Sequence, residues 1–85
     1  MHVLAISTVS DSDRFWAGLK KAYGRLPVGA TWVLALASSD GTRAVNVIRH
    51  DSIGAVREFL DGYAGAAAVT EYLEADAANA VGLVA

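Results

Sequence analysis

The chain has 85 residues, 54% of them hydrophobic and 19% charged, with no cysteine and a formal net charge of −2. That length allows one small domain. The missing cysteine excludes disulfides and a zinc-thiolate site, and a mildly acidic chain without a Lys/Arg run lacks the footprint of a phosphate-backbone binder.

No apolar run approaches the roughly 20 residues of a bilayer span. Met1-His2-Val3-Leu4-Ala5-Ile6 has no basic lead-in, so no secretory signal is expected and a cytoplasmic protein is. A domain this small buries only about two thirds of the surface of its unfolded chain. With disulfides excluded, oligomerisation is the expected source of extra stability.

His2 to Val9 is apolar and β-compatible and predicts a first strand. Ser10-Asp11-Ser12-Asp13 supplies N-cap candidates and acidic charge for a helix start. Phe15, Leu19, Ala22 and Leu26 then recur at helical spacing, with Arg14, Lys20, Lys21 and Arg25 for the wet face. This predicts a helix of about four turns, ended by Pro27.

Ala30 to Ser38 is the second predicted strand. Asp40-Gly41 is a strong hairpin signal, and Arg43 to His50 returns as the third strand. Asp51-Ser52 caps a second helix, with Ile53, Val56, Leu60 and Tyr63 on one face. Ala66 to Asp76 is the fourth predicted strand. The small apolar segment 77–85 is expected to pack on the body or on a partner, or to be a flexible tail.

The order β-α-β-β-α-β predicts an α+β, ferredoxin-like split βαβ fold over residues 1–85. The expected four-stranded antiparallel sheet has order 4-1-3-2 and two helices on one face. The other face should then alternate to polar residues, and it does not. The first strand presents Val3 and Ala5 one way and Leu4 and Ile6 the other. The second presents Val33, Ala35 and Ala37 against Trp32, Leu34 and Leu36. This second strand is an edge strand in that order, where two apolar faces are least expected. A sheet-to-sheet homodimer follows, with Trp32, Leu34 and Leu36 at its interface.

Element order and length along nearly the whole chain resemble the dimeric α+β barrel superfamily, whose ferredoxin-like protomers face their sheets to form one barrel. A narrower likeness joins Trp32, Asp40-Gly41 and the stretch Asp51-Ser52-Ile53-Gly54-Ala55-Val56-Arg57-Glu58. In these the chain is similar to small ferredoxin-like proteins described as nickel-binding. That likeness implies a metal-binding dimer, but it carries over no ligand set, so no metal residues are assigned.

Three residues are candidate ligand-binding groups. Asn46 lies mid-strand, where Asn is depleted, and a buried amide needs partners. Alternation places His50 on the same face, at a strand-to-helix corner, with an imidazole suited to proton transfer. Tyr72 sits on the fourth strand, and with Trp32 it is expected at the dimer seam or closing a cavity with Trp16 and Tyr23. His2, at the end of the first strand, is assigned nothing.

No glycine-rich phosphate loop, nucleophile elbow or metalloprotease helix occurs, and no cofactor is expected. The residues themselves point to a homodimeric module that binds a small apolar ligand or a protein. The superfamily resemblance implies an alternative: a cofactor-independent monooxygenase or isomerase acting on a small apolar or aromatic compound. Asn46, His50 and Tyr72 would then position the substrate and move a proton.

Overall fold

In the computed structural model, residues 1–83 are described. Strand β1 (His2–Val9) leads through helix α1 (Ser12–Tyr23) to the hairpin β2 (Thr31–Ala37) and β3 (Arg43–Arg49). Helix α2 (Ile53–Ala64), strand β4 (Ala68–Glu74) and a single 3-10 turn at Ala77–Asn79 follow. The four strands form one antiparallel sheet in the order β2-β3-β1-β4, the ferredoxin-like arrangement expected from the element order. Of the tail expected at 77–85, Val84 and Ala85 lie outside the described residues.

Each helix starts on a side-chain cap. The Asp11 carboxylate accepts from the Arg14 N–H at 3.1 Å and the Ser52 hydroxyl from the Ala55 N–H at 3.1 Å, satisfying donors that the first turn leaves free. Helix α1 stops at Tyr23, a turn before the predicted end. Gly24 follows it, and glycine is the poorest helix former after proline; its N–H closes on the Ala22 carbonyl. Strand β4 starts two residues later than predicted because Ala67 is held in a turn. Its N–H reaches the Ala64 carbonyl, and its own carbonyl accepts from the Ser10 N–H.

The hairpin turn is tied at Asp40. Its carboxylate accepts from the Ser38 hydroxyl at 2.7 Å, the Thr42 N–H at 3.0 Å and the Thr42 hydroxyl at 2.8 Å. Gly41 has φ +75°, a conformation glycine adopts without steric cost.

The register sorts side chains into two faces. Facing the helices are Val3, Ala5 and Ser7 of β1, Ala44, Asn46 and Ile48 of β3, and Tyr72 of β4, all buried. Against them pack Phe15 and Leu19 of α1 and Val56 and Leu60 of α2. The small residues Ala5, Ser7 and Ala44 let the helices sit close to the sheet, so the bulk of the core comes from the helices. At Gly18 the two helices approach until a Cβ there would collide with the Tyr63 carbonyl.

Strict alternation fails in β2. Trp32 pairs with Ile48 and Leu34 with Val47, so Val33 is an extra residue in a β-bulge. A bulge reverses the side-chain parity along its strand. The expectation that Trp32 shares a face with Leu34 and Leu36 is therefore corrected. Trp32 faces the helices, while Leu34 and Leu36 lie on the opposite, open face with Leu4, Ile6, Val45 and Val47.

Candidate functional site

The three candidate polar residues are placed by neighbouring strands. Asn46 and Tyr72 both pair with Ala5, one from each side, so they share a row on the helix face with one small residue between them. His50 lies just past the end of β3, outside that row.

Each of the three has a local partner. The Asn46 side-chain oxygen accepts the Trp32 indole N–H at 3.2 Å, toward the edge strand. The Tyr72 hydroxyl donates to the Asp61 carboxylate of α2 at 2.6 Å, and the Arg57 guanidinium stands 5.5 Å from the Tyr72 ring centre. Burial, followed by the hydrogen bond and negative charge of Asp61, pushes the Tyr72 phenol above its ordinary value. The His50 Nδ1 accepts the Ser52 N–H at 3.1 Å. With that bond formed, the nearby Asp51 carboxylate, 3.0 Å from the same nitrogen, faces a lone pair already in use. The void beside His50 is about 10 Å³, walled by Pro27, Ile48 and Phe59 among others, room for no more than about one water.

The larger openings lie elsewhere. The open face of the sheet carries two rows across its strands, Leu34-Val47-Leu4-Leu73 and Leu36-Val45-Ile6-Glu71. Leu34, Leu36 and Leu73 are 47%, 61% and 43% exposed, so helices cover none of them. The segment after β4 bends back over part of this face. Between it and the sheet runs a groove of about 510 Å³, lined by His2, Leu4, Val47 and Leu34 on one side and by Asp76, Val81 and Leu83 on the other. The His2 Nε2 is buried there with no hydrogen-bond partner among the described residues. Sequence reasoning passed over His2 because a strand end usually frays. Packing on the body is one of the placements expected of the segment after β4, but residues 77–83 carry no periodic pattern that would set it over His2.

A second opening, a cleft of about 380 Å³, lies between α1 and the edge strand β2. Trp16, Leu19, Lys20 and Tyr23 line it from the helix, and Trp32, Val33, Leu34 and Ala35 from the strand. The expected grouping of Trp32 with Trp16 and Tyr23 is present here: the Tyr23 and Trp32 rings are 6.0 Å apart. Tyr72, which was grouped with them, is at the far edge of the sheet.

Among the described residues no three His, Asp or Glu side chains cluster as metal ligands would. No helix of the described chain is long and apolar enough to cross a membrane. The chain matches no protein-family model, no curated protein and no solved structure.

Proposed function

We propose that this chain acts as a homodimeric binding module for a small, mostly apolar ligand, with a second copy covering the open sheet face. The carrying observation is that face itself: Leu34, Leu36 and Val45 adjoin at one side of a fully formed sheet and Leu73 stands at the other, all exposed. Burying several hundred Å² of such surface at about 25 cal/mol per Å² stabilises a pair by several kcal/mol. That is comparable with the whole stability of a small domain. A twofold pairing of like faces is the commonest closed solution, and it is the arrangement of the dimeric α+β barrel superfamily that the element order resembles.

Binding is favoured over catalysis because Asn46, Tyr72 and His50 are each engaged by a neighbour of their own. An enzyme of the monooxygenase or isomerase kind would have to free the Asn46 oxygen and the Tyr72 hydroxyl from those bonds to use them on a substrate. Sedimentation equilibrium tests the pairing. A dimer at micromolar concentration is expected, and Leu36→Asp, placing a charge on the most exposed leucine of the face, should return a folded monomer. A wild-type chain that sediments as a monomer at that concentration refutes it.

A further inference from the structure

We infer that the cleft between α1 and β2 is a binding site for a planar aromatic anion, such as an aryl carboxylate. The inference rests on the reading of the chain as a small-ligand module, but not on its dimerisation.

Two local choices open the cleft. Gly18 lets α1 lie against the Tyr63 carbonyl of α2, which seats α1 toward α2, away from the sheet edge where β2 runs. On β2, the helix-facing residue after Trp32 is Ala35, paired with Asn46, and its methyl group fills little of the space left. The resulting volume of about 380 Å³ falls within the usual range for small-ligand pockets, roughly 300–1,000 Å³.

The walls are aromatic and two of them are fixed. Trp32 is oriented by its N–H bond to the buried Asn46. Trp16 stands edge-on to the buried Phe15, ring centres 5.5 Å apart. Fixed walls reduce the ordering cost of binding. Tyr23, 69% exposed, is the third ring and is free to close over a guest. Aromatic walls of this kind suit a planar π-system through offset or edge-on contacts. Lys20 is the one charged residue among those lining the cleft, so the complementary guest carries a negative group at its rim.

The test uses the full chain, uniformly nitrogen-15 labelled, titrated with 2-naphthoate and with the uncharged 2-naphthol. Saturable shifts of the Trp16 and Trp32 indole N–H signals are expected with both. Lys20→Glu, at an exposed position, should weaken 2-naphthoate about fivefold and leave 2-naphthol roughly unchanged. Tyr23→Ala should weaken both about fivefold. No saturation, or shifts confined to Leu36, Val45 and Leu73 on the open face, overturns the site. A 2-naphthoate affinity indifferent to Lys20→Glu overturns the anionic class of the ligand. Sedimentation of the same samples separates this outcome from the dimer question: a monomer that binds naphthoate in the cleft leaves this inference standing.

Discussion

The Trp32 indole donates its N–H to the Asn46 side-chain oxygen over 3.2 Å, tying the edge strand to its neighbour across the face that the helices cover. Asn46 is 1% exposed, so the bond lies in the covered interior of the sheet face. Asn46→Leu should destabilise the fold by about 1–2 kcal/mol, because it leaves the indole donor unpaired. Adding Trp32→Phe removes that donor, and the double variant should be more stable than the two single losses summed. Urea unfolding of the four proteins measures the coupling. Strict additivity would mean that the bond contributes nothing.

Gly18 and Gly62 should respond in opposite directions to the same substitution. A methyl group at Gly18 collides with the Tyr63 backbone, whereas one at Gly62 meets nothing within 4 Å. Gly18→Ala should cost about 2 kcal/mol or more, since two helices must part to admit it. Gly62→Ala, within α2, should stabilise by about 0.5–1 kcal/mol through helix propensity. Thermal melts of both variants decide it, and a Gly18→Ala protein as stable as wild type would contradict the close helix contact.

Tyr72 sets the alkaline limit of one contribution to stability. Its phenol is raised above the ordinary value of 10.0 by burial and then by Asp61. Folding therefore favours the protonated form. The benefit is complete below pH 10 and is lost as pH rises from there toward the higher folded value. The stability difference between wild type and Tyr72→Phe, followed by urea unfolding from about pH 8 to about pH 11, should shift against the wild type above pH 10. A difference that stays flat would place the phenol in water.

The hairpin turn carries the opposite linkage. The Thr42 N–H, then the Ser38 and Thr42 hydroxyls, hold the Asp40 carboxyl down from 3.8 to about 2. The turn is thus strengthened above pH 3.8, and this is lost as pH falls through about 2. Proton-coupled chemical shifts of the Asp40 side chain and the Thr42 amide should titrate together near pH 2. Asp40→Asn should abolish that step, and a midpoint near the ordinary carboxylate value would mean that the three bonds are not formed in solution.

Much of this architecture was legible because the signals were local. Asp11 and Ser52 announce the helix starts, Asp40-Gly41 the hairpin, and the β-α-β-β-α-β order the sheet topology. Three things were hidden for physical reasons. The first is which sheet face meets the helices. Val3 and Ala5 compete with Leu4 and Ile6, both sets are apolar, and only the helices' demand for a small-residue floor decides. The second is the bulge at Val33, where every residue from Trp32 to Ala37 is apolar and parity cannot be seen. The third is the fate of Asn46, whose partner is Trp32, a residue grouped with Leu34 and Leu36 at the dimer interface. The aromatic grouping of Trp16, Tyr23 and Trp32 was anticipated. The part Lys20 plays beside it was not, because a lysine on a wet helix face gives no sign of what it borders.

The extra residue at Val33 also bears on how this chain could change over generations. In most strands a one-residue deletion ruins the pairing of everything beyond it. Here, losing Val33 would make Trp32 and Leu34 consecutive while each keeps its partner, Ile48 and Val47, so plain alternation would hold the tryptophan on the helix side and Leu34 and Leu36 on the open side. A regular ladder that took Val33 in would do the opposite, turning either Trp32 outward, away from Asn46, or the two leucines inward. The bulge is therefore a place where this chain can shorten by one residue without turning a side chain to the wrong face.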